Sequence, residues 1–307
     1  MNIVLSFVGT LPKYIVDNIH QTRQFFDGNI YLVVSDVKSP FIEKLKDFNV
    51  NIVKYNDVFS QEFSDTYEKN SYKFNIIHGL TGREELFIRS IERFFILKNT
   101  MKMFNLEDVF FMELDNMIYD DPRNWLEKFS THELCYMIDN IDRCSSGIMY
   151  IKNYDSIVPF VNFCKEYINN LNPGSEWLNE MSTLYRYYMK NKDIVQILPS
   201  LWKDAENIDK DEFPVAANFE KYDSIFDAQA IGIYLCGIDV FHTQGVLNIG
   251  YKCTWSHIDY TKFKFEWIND DKGRRTPFIW SGDRLIKINS LHVHSKELHL
   301  SASKQLE

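Results

Sequence analysis

The stretch VFFMELDNMIYDD, residues 109–121, is an apolar run that ends in acidic residues. Short apolar runs of this kind are typical of strands buried in a parallel sheet, and such a strand needs no carboxylate. Glu113 and Asp115 stand two residues apart, so at the end of a strand over residues 109–114 their side chains point to the same side. Two carboxylates at one point repel each other unless a cation joins them. The stretch therefore predicts a cation at the end of a buried strand.

Two interpretations of this acidic strand end remain open. Carboxylate oxygens suit magnesium or manganese ions, which commonly share their coordination with substrate phosphates. This interpretation predicts a divalent cation that bridges the protein to a diphosphate. The alternative is structural: Glu113 and Asp115 cap a helix, or pair with Arg89 or Arg93 on the preceding helix.

A second cluster, near the C-terminus, carries the complementary groups. The stretch LIKINSLHVHSK, residues 285–296, runs as a short strand into His292, His294 and Lys296. Imidazole is a good third ligand for a manganese-like ion, and a nearby ammonium can neutralise a departing diphosphate. On a regular strand His292 and His294 point to the same side, so the sequence does not choose between them. The alternative is an exposed, histidine-bearing tail without a role.

The N-terminal third has the pattern of a strand–helix–strand unit. The runs IVLSF (3–7) and IYLVV (30–34) are predicted strands, and the segment between them has apolar residues at helical spacing after a proline. The polar segment that ends at about Gly82 is interpreted as a loop or flap. Elsewhere the sequence predicts helices over 41–48, within 84–109, and over 156–171 and 176–190, and strands over 51–55 and 109–114, two within 134–153, and one within 193–199.

These elements define the expected fold class. Repeated β-α units predict an α/β fold with a mostly parallel sheet flanked by helices and an irregular C-terminal portion, with ligands bound at the carboxyl ends of the strands. The chain has 307 residues, 45% hydrophobic and 25% charged. No repeat or linker interrupts it, so residues 1–307 are expected to form a single domain.

Charge and composition limit the partners. A formal net charge of −9 disfavours a broad contact with nucleic acid or anionic lipid, but leaves room for a local basic pocket. Five cysteines without a CxxC pair indicate a reducing compartment. No stretch approaches the roughly 20 apolar residues that a membrane span requires. We expect a cytoplasmic protein, in the host cytoplasm if the chain is viral. The sequence does not decide whether the chain forms a homodimer.

The acidic and basic clusters resemble those of nucleotide-sugar-dependent glycosyltransferases of GT-A fold. In these enzymes an Asp-x-Asp motif follows a hydrophobic strand, and here Glu113-Leu114-Asp115 occupies it, with Glu in place of the first Asp. Other segments fall in the same order along the chain and extend the resemblance over most of it: SFVGTLPKY (6–14), SIERFFIL (90–97), SSGIMYI (145–151) and FDAQAIGIYLCGID (226–239).

The resemblance implies a metal-dependent transfer of a sugar from a nucleotide-diphosphate sugar to a hydroxyl group of a glycan, protein or small molecule. The expected donor is a UDP-sugar. Manganese is the expected cation, with magnesium as the alternative. Residues 1–120 would bind the nucleotide, and residues 121–307 would supply the acceptor side and a closing segment. The non-enzymatic alternative is a nucleotide- or carbohydrate-binding protein of the same fold; a third hypothesis is a sugar nucleotidyltransferase.

The resemblance also implies roles for individual residues. Asp115 would bind the metal directly, and Glu113 would contact the ribose or reach the metal through water. One of His292 and His294 would complete the metal shell, and Lys296 would hold the diphosphate. Arg89 or Arg93 would bind near the sugar or phosphates, although either could instead pair with a carboxylate in the core. The nucleoside pocket would be lined by Phe7, Val8, Gly9, Ser35 and Asp36.

Three carboxylates are candidates for the acceptor side or for a general base. Asp227 is the first, and its alternative role is to cap a helix that begins at Ala228, since Asp is a favoured N-cap. Glu180 is the second, with an ordinary exposed helix position as the alternative. Asp239 is the third.

Overall fold

The computed structural model describes residues 1–74, 84–140, 142–172, 178–203, 205, 214–237 and 260–306. Its strands are β1 (Asn2–Phe7), β2 (Ile30–Val34), β3 (Val50–Lys54), β4 (Val109–Met112), β5 (Asn116–Ile118), β6 (Leu134–Asn140), β7 (Arg143–Ile151), β8 (Val195–Leu198), β9 (Ser224–Ile225), β10 (Phe265–Asn269), β11 (Arg275–Ser281), β12 (Arg284–Ile288) and β13 (Ser290–His292).

The α-helices in the described ranges vary widely in length. They are α1 (Ile15–Phe25), α2 (Pro40–Lys44), α3 (Gln61–Phe74), α4 (Glu84–Phe104), α5 (Leu126–Phe129), α6 (Tyr154–Asn170), α7 (Glu180–Lys190), α8 (Phe219–Tyr222) and α9 (Ala230–Cys236).

Seven strands form the central sheet in the order β3-β2-β1-β4-β7-β6-β8. The pairs β1–β2, β2–β3, β1–β4 and β6–β8 are parallel, whereas β4–β7 and β6–β7 are antiparallel. This confirms the predicted α/β class with a mostly parallel sheet. Since β1 lies between β2 and β4 and runs parallel to both, the loops after these three strands meet at one edge of the sheet.

Helices cover both faces of this sheet, which explains why strands such as β2 and β4 are apolar along their whole length. Alternate residues of β4 point to opposite faces: Phe111 belongs to the core cluster that includes α3, α4, α6 and α7, and Phe110 to the cluster that includes α1. Both residues are almost completely buried. The central strands are therefore fixed from two sides.

The segment interpreted as a loop or flap contains a helix instead. Residues 61–74 form α3, while residues 75–83 lie outside the described ranges. Phe63 and Phe74 are buried, and Glu62 forms ion pairs with Lys98 of α4 and Lys165 of α6. The sequence interpretation was wrong for α3 because its polar residues include groups that pair with neighbouring helices, and polarity alone does not reveal this.

The C-terminal portion, expected to be irregular, contains a second sheet in its described part, with the order β10-β11-β12-β9. A separate two-stranded sheet joins β13 to β5. No helix among the described residues is long and apolar enough to span a bilayer.

Helix α1 supports the loop after β4 with buried amide groups. Asn18 Nδ2 donates to the carbonyl oxygens of Leu114 (2.9 Å) and Asn116 (2.7 Å), and Gln21 Nε2 donates to that of Ile118 (2.7 Å). Asn18 and Gln21 are fully buried. The acidic stretch therefore has a rigid backbone on its α1 side.

We expect Asn18→Ala to lower the free energy of unfolding by about 1–3 kcal/mol, because the substitution leaves two buried carbonyl groups without this donor. Urea denaturation measures the change. Asn29→Ala, at an exposed asparagine, is the control and should change the free energy by less than about 0.5 kcal/mol. Equal effects of the two substitutions would contradict the support that we assign to Asn18.

Candidate active site

The acidic residues lie in a turn immediately after β4. The strand ends at Met112, two residues earlier than predicted, because the backbone turns here: Asn116 N donates to Glu113 O (3.0 Å), and Glu113 N donates to Gly147 O (2.9 Å) on β7. This turn, rather than strand alternation, sets the positions of the Glu113 and Asp115 carboxylates.

Strand β13 brings the C-terminal histidine to this turn. His292 lies opposite Asn116 in the antiparallel β5–β13 pair, and Val293 N donates to Asp115 O (2.8 Å). Residues that are about 175 positions apart in the sequence are thus joined by backbone hydrogen bonds. The predicted meeting of the acidic and basic clusters is present in the structure.

Glu113, Asp115 and His292 form a compact group of potential metal ligands. One ligand atom from each of the three lies within 4.8 Å of the others. His292 Nε2 is 3.2 Å from Asp115 Oδ2 and 3.5 Å from Glu113 Oε2. Ligands on opposite sides of an ion with bonds of about 2.1 Å lie about 4.2 Å apart. Two carboxylates and one imidazole at this spacing fit a divalent cation.

Cationic side chains neutralise both carboxylates. Lys296 Nζ contacts Asp115 Oδ2, and Arg93 Nη1 contacts Glu113 Oε1. Burial would raise the pKa of Asp115, but the charges of Lys296 and His292 outweigh it and hold this pKa well below its usual range. Burial would lower the pKa of His292, but Asp115 and Glu113 raise it to about 9.

Arg93 also joins the acidic turn to α7. Its Nη2 lies 3.6 Å from Glu180 Oε1 and donates to Ser146 Oγ (3.0 Å). Glu180 in turn accepts a hydrogen bond from Ser90 Oγ (2.6 Å). Its side chain is only 15% exposed, so the alternative of an ordinary exposed helix position was wrong for Glu180.

The loops after β1 and β2 are linked at the same edge of the sheet. Ser35 Oγ accepts a hydrogen bond from Gly9 N (2.8 Å), and Ser35 N donates to Phe7 O (3.4 Å). Gly9 has a φ of 125°, which favours glycine. Val8 packs against the small cluster around Val33. Asp36 follows directly and is partly exposed.

No protein-family model matches the chain, and no curated protein matches it. Similar solved structures include an active-site mutant of LgtC, with 12% identity and a TM-score of 0.46 over 68% of this chain and 80% of that chain. Mouse xyloside xylosyltransferase 1 has 11% identity and a TM-score of 0.43 over 66% and 86% of the two chains. A cytidylyltransferase from Leptospira borgpetersenii serovar Hardjo-bovis has 11% identity and a TM-score of 0.39 over 72% and 86%. All three TM-scores are below 0.5, and no residue role in this chain follows from them.

Arg89 lies one helical turn before Arg93 but has different partners. It pairs with Glu92 (2.6 Å) and Glu85 (3.2 Å) of the same helix. Glu92 also accepts a hydrogen bond from Tyr55 Oη (2.5 Å). Both arginines thus pair with glutamates, but of the two it is Arg93 that contacts the acidic turn.

His294 lies beside His292, and the two rings stack with their centroids 4.2 Å apart. Although β13 ends at His292, the two side chains stay on one side, as the sequence predicts. The group of ligand atoms within 4.8 Å contains His292 and not His294.

Asp227 is almost completely buried and lies next to His292. Its carboxylate accepts hydrogen bonds from Ile231 N and Gly232 N in α9, and from His292 N. Helix α9 begins at Ala230 rather than at Ala228, but the carboxylate does satisfy its first turn, as the capping alternative predicts. Burial raises the pKa of Asp227 to about 6, although these backbone N–H groups lower it. Asp239, the third candidate, lies outside the described residues.

A buried ion pair that the sequence analysis missed lies close to this cluster. Asp139, at the end of β6, pairs with Arg143 at the start of β7. Burial raises the pKa of Asp139, although the charge of Arg143, a side-chain hydrogen bond from Gln229 and the charge of His292 lower it. Leu134-Cys135-Tyr136-Met137-Ile138 before Asp139 is an apolar run that ends in acid, the same signal that identified Glu113. Applied consistently, that signal would have found Asp139.

We expect Arg93→Met to lower the free energy of unfolding by about 2–4 kcal/mol, because Glu113 and Glu180 then lose a shared cation in a partly buried position. Lys203→Met is the matched control: it removes one partner of an exposed pair with Glu220 and should cost less than about 1 kcal/mol. Urea denaturation at neutral pH measures both. A cost for Arg93→Met no larger than that of the control would show that the pair contributes nothing to stability.

Proposed function

We propose that the protein is a metal-dependent glycosyltransferase of GT-A type that uses a nucleotide-diphosphate sugar. The observation that carries the proposal is the cluster of Glu113, Asp115 and His292, whose ligand atoms lie within 4.8 Å of one another. The cluster follows β4 at the carboxyl edge of a mostly parallel sheet, where α/β proteins bind their ligands.

In this proposal Asp115, Glu113 and His292 hold a divalent cation. When bound, the cation would stabilise the negative charge that develops on the departing nucleoside diphosphate. An imidazole among the ligands favours manganese over magnesium, which prefers oxygen ligands alone. Lys296 would exchange its contact with Asp115 for one with the diphosphate.

The remaining contacts of the donor are proposed from position. The linked loops that carry Phe7, Val8, Gly9, Ser35 and Asp36 adjoin the acidic turn at the edge of the sheet and would hold the nucleoside, for preference uridine. Arg93, between Glu113 and Glu180, would lie on the sugar side. Residues 1–120 would thus supply the nucleotide half, and residues 121–307 the acceptor half.

For the acceptor hydroxyl we propose Glu180 as the nearby carboxylate. It lies beside Arg93, and 15% of its side chain is exposed, so it can face a substrate. An acceptor that gives up its proton during transfer needs such a base if the configuration at the sugar inverts.

We expect Asp115→Asn to reduce manganese affinity at least 10-fold and to abolish the stabilisation of the protein by UDP-sugars in the presence of manganese, because the substitution removes a charged ligand. Isothermal titration calorimetry and thermal-shift assays measure the two effects. Asp108→Asn is the control, since Asp108 immediately precedes the opposite end of β4. If Asp115→Asn kept full manganese-dependent hydrolysis of every UDP-sugar tested, the proposal would fail. Tight sugar binding without metal and without hydrolysis by the native protein would favour a binding protein.

His292→Ala and His294→Ala form a matched pair that tests the assignment of the metal ligand. We expect His292→Ala to weaken manganese binding about 10–100-fold and His294→Ala to weaken it only a few-fold, since the imidazole of His292 is the one grouped with the carboxylates. Calorimetric titration with manganese alone measures both affinities. The reverse order would assign the metal to His294.

A further inference from the structure

Asp227 links the backbone at His292 to helix α9 through three buried hydrogen bonds. Its Oδ2 accepts from His292 N (2.9 Å) and from Gly232 N (2.7 Å), and its Oδ1 accepts from Ile231 N (2.9 Å). The residue is 1% exposed. One carboxylate thus joins the first turn of α9 to the last residue of β13.

The contact between α9 and β13 is as close as glycine permits. A Cβ atom at Gly232 would lie 2.0 Å from His292 O and 2.7 Å from Asp227 Oδ2. Any side chain at this position would push β13 away from the helix. The backbone of His292 is therefore held by Asp227 at its N–H group, while the absence of a side chain at Gly232 leaves room for its carbonyl group.

The environment of Asp227 does not suit a general base. Its two oxygens already accept three backbone N–H groups, and burial leaves almost no surface for an acceptor hydroxyl to approach. A base must reach the proton that it removes. A buried carboxylate that accepts backbone N–H groups instead fixes the geometry of the chain around it.

We propose that Asp227 is a positioning residue that fixes His292 in the orientation required for metal binding, and that Gly232 provides the space for it. This inference rests on the proposed function, in which His292 is a metal ligand. Outer residues that orient a ligand typically contribute 10–100-fold to metal affinity. No substrate contact is required of either residue.

Three variants separate positioning from base catalysis. Asp227→Ala removes all three acceptor contacts, and we expect manganese affinity to fall about 10–100-fold. Asp227→Asn keeps one oxygen, which can still accept from Gly232 and His292, so we expect a loss of only a few-fold. Gly232→Ala removes no hydrogen-bonding group, but its added methyl group displaces β13. We therefore expect a loss of manganese affinity like that of Asp227→Ala. If Asp227→Ala does not fold, the other two variants carry the test.

The measurements are titration calorimetry with manganese alone and hydrogen–deuterium exchange of peptides that cover residues 290–294. We expect faster exchange in these peptides for Asp227→Ala and Gly232→Ala, and we expect saturating manganese to restore sugar transfer. Asp270→Ala is the matched control, because Asp270 also accepts backbone N–H groups, from Lys272 and Arg274, in the turn after β10. It should leave both readouts unchanged.

Native manganese affinity and exchange in folded Asp227→Ala and Gly232→Ala would overturn the inference. So would a loss of transfer in Asp227→Asn as complete as in Asp227→Ala, with unchanged metal binding, since that result identifies a base. If the native protein binds no manganese, the proposed function fails instead, and the exchange data still show whether Asp227 holds His292.

Discussion

Pairing of three residues near the C-terminus with three residues after the acidic turn is the interaction on which the candidate site depends. The β5–β13 ladder and the hydrogen bond from Val293 N to Asp115 O bring His292 and Lys296 to Glu113 and Asp115. Without this pairing, of the cations that the described residues place on the two carboxylates, Arg93 alone would remain. The central sheet thus supplies the acidic half of the site, and a short strand outside it supplies the other half.

Charge balance explains why these groups form one unit. A buried charge without a partner costs several kcal/mol, and the ionised form of the buried Asp115 is stabilised by the cations beside it, which hold its pKa low. Lys296 and His292 form ion pairs with Asp115. Arg93 forms an ion pair with Glu113 and also lies near Glu180. In the proposed function a divalent cation would replace some of these contacts with the carboxylates. His292 would then release its proton, and Lys296 would be left to pair with a phosphate.

The parts of the fold that the sequence predicts are those fixed by local pattern. The apolar runs that form β1, β2 and β4, and the apolar stripe of α4, are readable because their periodicity matches their burial. Helix α3 was missed because polar residues on it pair with distant segments: Glu62 pairs with Lys98 and Lys165, and Asn70 donates to Asn169. The extent of β4 was overestimated, because the chain turns at Glu113, where Asn116 N donates to Glu113 O. Contacts with distant segments explain the first of these two differences, and a local turn explains the second.

In the site, too, local sequence pattern predicted some features, whereas others depend on contacts that the pattern does not show. The two clusters were identified from residue type and position, and their meeting was expected from their complementary chemistry and from the resemblance. The choice of His292 over His294 within the ligand group was not, because it depends on where β13 ends and on the packing of Gly232 against it. The capping alternative for Asp227 was recognised, but the sequence did not reveal its bond to His292 N, since the two residues lie 65 positions apart.

The C-terminal segment is anchored on both sides of Lys296, and this limits what the lysine can reach. His292 is held by β5 and Asp227, and farther along Ser303 N donates to Gln21 Oε1 and Tyr119 Oη donates to Ser301 O. Between these anchors the chain turns at Lys296, whose φ of 64° is unusual for a residue other than glycine. A lysine on a free tail would lose much conformational entropy on binding an anion, whereas one in an anchored turn has lost part of it on folding. Anchoring on both sides of the turn keeps the ammonium group close to Asp115, within reach of the diphosphate in the proposed function.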